Sequence, residues 1–223
     1  MGEWSTYSLE DFLLFAPATY ERLFVLHNRA VWPMQVPLVA LGCLMAGAVC
    51  RANAWARTFV FGALGPVWLL VAWSFLAGRY ATINWAAVYA AWAFALEAAL
   101  LVLCAAVLWR APAETGPGRH RWPGVALIVF ALAVQPLLAP LAGRDWGGVE
   151  LFGTAPDPTA IATLGFVLLL APPGWRGVLL ALPVLWCLAT GVTLLAMESP
   201  VWGVPPLAAL TAVAAATFRP RSG

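Results

Sequence analysis

Lysine is absent from these 223 residues, and all twelve basic side chains are arginine. Without a side-chain amine the chain cannot form the Schiff base that holds retinal or pyridoxal phosphate, nor supply a Walker lysine. Charge of either sign is scarce, at 10% of residues against about 25% in soluble domains. A net charge of +2 is too small to imply a polyanionic partner, and no nucleic-acid ligand is expected. Only two histidines occur, His27 and His120. Neither falls within an apolar run, so they are misplaced as axial ligands for a haem between helices. The four cysteines, Cys43, Cys50, Cys104 and Cys187, form no C-x-x-C pair, which removes the signature of a disulfide oxidoreductase. They read as small apolar packing residues. No cofactor and no metal site is expected.

What is present is apolar. Hydrophobic residues make up 63% and the mean hydropathy is +0.85, far above a soluble domain. A helix needs about 20 apolar residues to cross a bilayer. Six stretches meet this requirement, at about 31–50, 58–77, 84–109, 122–142, 177–197 and 200–218. A seventh, at 158–171, is shorter. Asp157 is placed to cap it and Pro158 suits a first helical position, so it reads as a short span or a re-entrant segment. None of these runs alternates with period two, and an unclosed sheet cannot satisfy its backbone in lipid. The fold class is therefore an all-α integral membrane protein, a bundle of about seven transmembrane helices, with six plus one re-entrant segment as the alternative.

The arginines discriminate between the two counts. With seven spans and the N-terminus outside, eight arginines (51, 57, 110, 119, 121, 176, 219 and 221) lie inside and four (22, 29, 79 and 144) outside. This follows the positive-inside rule, whereas a re-entrant seventh segment reverses the bias. A multi-pass protein of a bacterial inner membrane is expected, N-terminus out and C-terminus cytoplasmic, with no cleavable leader. One membrane domain spans 1–223. It comprises an amphipathic segment at 1–30 on the outer interface, the bundle at 31–218 and a basic tail at 219–223. Ser8 and Asp11 resemble a capping box, and Tyr20, Leu23, Phe24 and His27 share one helical face.

Polar side chains inside the apolar runs are the candidate site. Glu97 lies thirteen residues after Asn84, or about 20 Å along a helix, near the bilayer midplane. A charged carboxylate costs several kcal/mol there, and such residues mark ion or proton pathways or serve as hydrogen-bonding glue between helices. Thr82, Asn84, Gln135 and Thr190 fall in the outer half of the spans, while the inner half is almost wholly Ala, Leu and Val. Pro66, Pro136, Pro183 and Pro206 are expected to interrupt helices and free backbone carbonyls. Together these suggest an outward-facing polar cavity with Glu97 near its floor. Interhelical hydrogen bonding with kinks is the plainer alternative. Arg79, Tyr80, Arg144, Glu150, Asp157 and His27 compose a candidate outer cap. The thirteen tryptophans divide between span ends, where indoles anchor at the interface, and deeper positions such as Trp68, Trp73, Trp92 and Trp186.

The run Tyr7, Leu9, Asp11 to Phe15, Pro17, Tyr20, Arg22-Leu23-Phe24, Asn28 and Trp32-Pro33 resembles the opening of a bacterial membrane-protein family known only as a domain of unknown function. The likeness continues through Arg79 to Trp85, Gln135-Pro136-Leu137, Gly143-Arg144, Phe152-Gly153, Ala155 to Ala160 and Trp186-Cys187. It implies a multi-pass inner-membrane bundle and supplies no activity or catalytic residue. Three functions stay open. The first is a binding or transport bundle for a small molecule or ion. The second is an accessory or assembly subunit docked on a membrane-protein partner. The third is an intramembrane enzyme on a hydrophobic substrate, which lacks a visible nucleophile–base pair. The lipid bilayer is the partner common to all three.

Overall fold

Proline and asparagine set many of the helix boundaries. The computed structural model describes residues 15–51, 53–109 and 121–217. The expectations on Ser8 and Asp11, on Arg110, Arg119 and His120, and on the 219–223 tail lie outside these residues. Helix α1 (Pro17–Val31) begins with proline at its first position, where no N–H is needed. It meets α2 (Gln35–Val49) at 94° across a short break, so it lies across one end of the bundle. Its buried face is Tyr20, Leu23, Phe24 and His27, the face that helical spacing selects. Asn53 caps α3 (Ala54–Val71) by accepting from the Ala56 N–H. The helix then runs on as a π-helical turn, Ala72–Ala77.

The remaining helices are α4 (Ala87–Leu108), α5 (Arg121–Val129), α6 (Gln135–Leu141), α7 (Pro156–Leu170), α8 (Pro173–Ala196) and α9 (Val204–Thr217). A second π-helical stretch, Phe130–Val134, joins α5 to α6 as one span. Pro136 stands just beyond it and supplies a cause, since it cannot donate to a carbonyl one turn back. Pro66 and Pro183 sit inside continuous helices. Pro205 and Pro206 occupy the first turn of α9, where the missing N–H costs little. Of the four expected interruptions, only Pro136 coincides with a break in α-helical geometry.

Among the described residues there is no strand, and the chain has the all-helical fold of an integral membrane bundle. Four helices are long and apolar enough to cross a membrane, or up to five if the bent α1–α2 pair is one span. Helices α7 and α9, at 15 and 14 residues, are apolar but shorter. The brevity of α7 has a physical reason. The chain enters the bundle as a loop, with Phe152, Gly153, Thr154 and Ala155 already buried before the helix starts. Every residue from Pro156 to Leu168 is also buried, which makes α7 the central helix.

Close approach of backbones explains the packing around it. A Cβ on Gly165 of α7 would stand 2.6 Å from the Gly124 carbonyl oxygen of α5. Val102 of α4 fills the place of a Gly65 side chain on α3. Small residues at such points let helices gain dispersion contacts that lipid tails would otherwise supply. At the end opposite α1, the buried Arg57 guanidinium donates to the Leu108 carbonyl at 2.9 Å, closing α3 onto the last turn of α4. Arg176 likewise donates to the Ala171 carbonyl at 2.9 Å.

Candidate functional site

The end of the bundle that carries α1 holds the polar groups, and local backbone chemistry puts them there. Helix α6 stops where Gly143 adopts φ +78, a left-handed conformation that glycine takes without strain. The Arg144 N–H then returns to the Ala139 carbonyl at 2.9 Å, which turns the arginine back over the helix end. Asp145 caps the following short 3-10 turn, Trp146–Gly148, through the Gly147 N–H. The Asn28 side-chain amide of α1 donates to the carbonyls of Gly147 and Val149, each at 2.8 Å. This clamp fixes the backbone immediately before Glu150.

From there the chain descends. Gly153 has φ +81 and presses on Leu38 of α2, where a Cβ would stand only 3.1 Å away. The Thr159 hydroxyl accepts from the Gly153 N–H at 2.9 Å and donates to the Ala155 carbonyl at 2.7 Å, stapling the loop to the first turn of α7. That helix starts at Pro156 with Ala155 as its N-cap residue and no side-chain cap. The expectation that Asp157 caps the helix is thus corrected: it stands inside the first turn, near the positive helix end. Its Oδ1 instead accepts from Trp186 Nε1 at 2.7 Å and from Thr190 Oγ1 at 3.0 Å. Trp186 and Thr190 lie one turn apart on α8, which aims both donors at the same oxygen.

Glu150 completes the group. Arg144 Nη2 donates to its Oε1 at 3.3 Å as an ion pair, and Gln135 Nε2 approaches its Oε2 at 3.5 Å. Burial pushes the Glu150 carboxyl above the usual carboxylate range, although Arg144 and the Gln135 amide draw it down. Gln135, Arg144, Glu150 and Asp157 line one narrow cleft, closed on its other side by Leu138, Leu194, Val201, Val204 and Pro205. The cleft encloses about 310 Å³ including its open mouth, and its inner part has room for about one water molecule. The Gln135 Oε1 is buried there with no hydrogen-bond donor.

Five residues expected from the sequence are therefore brought together: Gln135, Arg144, Glu150, Asp157 and Thr190. Others lie elsewhere. Tyr80 joins an aromatic group with Tyr20, Phe75 and Phe15, and the Asn84 amide donates to its hydroxyl at 3.2 Å. Thr82 donates to the Arg79 carbonyl within its own exposed turn. His27 is buried edge-on against Phe75 with Nε2 unpartnered. Burial lowers it to about 4, helped by the nearby Arg79 charge and opposed by a hydrogen bond to the Thr154 backbone. Glu97 is not among the residues that line the cleft, so the expectation that it stands near the cavity floor is corrected. Trp186 was visible only as a deep tryptophan. Its spacing of four residues from Thr190, one helical turn, is the signal that could have tied it to the same partner.

These features define an all-helical integral membrane bundle with a buried acidic and arginine-bearing cleft at one end. Among the described residues, no group of three or more His, Cys, Asp or Glu side chains is placed to hold a metal ion. The chain belongs to a family of unknown function, DUF6064, whose model matches residues 18–221. No curated protein and no solved structure matches it.

Proposed function

We propose that the chain is a binding or transport bundle for a small monovalent cation, held in the cleft of Gln135, Arg144, Glu150 and Asp157. The observation that carries this reading is a mismatch of charge and hydrogen bonding. Two carboxyl groups face a single arginine, and the Gln135 carbonyl oxygen beside them has no donor. Both donors to Asp157, from Trp186 and Thr190, reach its Oδ1. A small cation, inorganic or a primary ammonium, supplies both the missing charge and the donor or coordination that the Gln135 oxygen lacks. The narrow cleft excludes larger ligands.

Orientation follows from charge. Arg51, Arg57, Arg121 and Arg176 stand at the end opposite the cleft, and the seven-span reading of the sequence assigns eight of the twelve arginines to that side. We place that side in the cytoplasm of a bacterial inner membrane, with the cleft facing out.

Trp186 is a built-in reporter, because its indole N–H bonds the carboxyl that meets the ligand. Titration of the purified protein with ammonium, methylammonium, sodium and potassium chloride should shift tryptophan emission. The shift should vanish in Asp157→Asn and in Trp186→Phe, and choline should be too large to produce it. An emission response identical in Asp157→Asn would overturn the reading. A silent cleft in a protein that purifies only with a membrane partner would favour the accessory-subunit function instead.

A further inference from the structure

Glu97 is the one buried carboxyl among the described residues that no cleft, ion pair or cap employs. It sits at the midpoint of the 22-residue α4, is fully buried, and neither oxygen has a hydrogen-bond partner. The groups packed around α4 offer it no counter-charge. On α3 the basic residue is Arg57, which binds the Leu108 carbonyl, eleven residues and about 16 Å along the helix from Glu97. On α8 the basic residue is Arg176, which binds the Ala171 carbonyl at the start of that helix, and the remaining titratable groups on α4 and α8 are Tyr89, Cys104 and Cys187. An ionised carboxylate in such surroundings is strongly disfavoured, so the neutral acid is the form this site accommodates.

One turn toward the cleft end, on the same side of α4, stands the buried Phe94. Its ring is clamped between Trp68, with centroids 4.3 Å apart, and Trp186, at 5.0 Å and edge-on. Both indoles are tethered to α7. Trp68 Nε1 donates to Thr163 Oγ1 at 2.8 Å, and Trp186 Nε1 donates to Asp157. A continuous set of contacts therefore runs from the cleft carboxyl through Trp186 to Phe94, and Glu97 follows one turn further in.

We propose that Glu97 is a second site, a membrane-embedded acid whose ligand is a proton, and that Phe94 is the barrier separating it from the Asp157 cleft. The inference stands on the orphaned carboxyl and the aromatic clamp, independently of what the cleft binds. A proton reaches Glu97 from the cleft when Phe94 leaves the Trp68–Trp186 clamp and water follows.

Carbodiimides test both parts, because they react with the neutral acid. The carboxyl oxygen bonds to the central carbon of the reagent and the acid proton passes to a nitrogen. An acyl shift from oxygen to nitrogen then leaves a stable N-acylurea. The full-length protein in lipid nanodiscs is treated at neutral pH with a lipid-soluble carbodiimide or a water-soluble one, and the adduct is mapped by mass spectrometry. The expected result is an adduct on Glu97 from the lipid-soluble reagent alone, lost in Glu97→Gln. Phe94→Ala should open Glu97 to the water-soluble reagent, and Phe94→Leu, which preserves bulk in the core, should do so partially. Asp157→Asn should leave the labelling unchanged, so failure of the cleft reading does not alter this outcome. Absence of a Glu97 adduct from the lipid-soluble reagent would overturn the acid site. Equal labelling of the wild type by both reagents, or no effect of either Phe94 variant, would overturn the barrier.

Discussion

Replacing Asp157 by alanine should destabilise the bundle more than replacing it by asparagine, and the structure sets the size of the difference. Asp157 is 5% exposed, and its Oδ1 takes hydrogen bonds from Trp186 at 2.7 Å and Thr190 at 3.0 Å. Alanine removes both acceptor bonds. Thr190 recovers by turning its hydroxyl to the carbonyl one turn back, as Thr193 does to Ala189 at 2.9 Å. The Trp186 N–H has no such recourse, and an orphaned buried donor costs about 1–3 kcal/mol. Asparagine retains a carbonyl oxygen for both donors, so its expected cost is about 0.5–1 kcal/mol. Equilibrium unfolding in mixed micelles, followed by far-ultraviolet circular dichroism, should therefore separate the two variants by about 1–2 kcal/mol. A double-mutant cycle with Trp186→Phe should return most of that gap as coupling energy. Alanine and asparagine variants within about 0.5 kcal/mol of each other, or no coupling to Trp186, would refute the assignment of Asp157 as the acceptor that holds α8 against α7.

Gly165→Ala should loosen the α5–α7 contact at a cost of about 1–3 kcal/mol, because the new methyl meets the Gly124 carbonyl. Gly174→Ala, with nothing within 4 Å, should be neutral in the same unfolding assay. His27 titrates lower in the folded chain than its ordinary 6.5, at about 4, so the unfolded state binds the extra proton first. Stability should be full above pH 6.5 and fall as the pH drops toward 4, and His27→Phe should flatten that part of the profile. Arg144→Met leaves Glu150 buried without its cation. The loss should approach about 3 kcal/mol at pH 8 and shrink as the pH is lowered and Glu150, whose carboxyl burial pushes up, takes up a proton, whereas a pH-independent loss would show that the ion pair carries no charge interaction.

The long spans were legible because their apolar runs have the length a bilayer demands, whereas the run at 200–218 forms a helix of only 14 residues; the buried face of α1 emerged residue by residue. The site was legible in part. Gln135, Glu150, Asp157 and Thr190 stand out as polar residues in apolar surroundings, but no local pattern shows that they converge. Convergence depends on the descending loop, whose Phe152-Gly153-Thr154-Ala155 stretch carries no charge and looks like any connection. Its burial follows from the Asn28 clamp and the Gly153 approach to Leu38, contacts between segments more than a hundred residues apart in sequence. The π-helical turns before Arg79 and Gln135 were equally hidden, since Pro136 announces a disturbance without its geometry. Counting put Glu97 near the middle of its helix, and α4 has it there. Its lack of any partner is a property of packing that counting cannot reach.

Equilibrium dialysis of radiolabelled methylammonium against the purified full-length chain tests the central claim most directly. The cleft predicts one saturable site per chain in the wild type, displaced by ammonium and lost in both Asp157→Asn and Gln135→Leu. Binding that survives in both variants, or its absence from a folded wild-type protein, would contradict it.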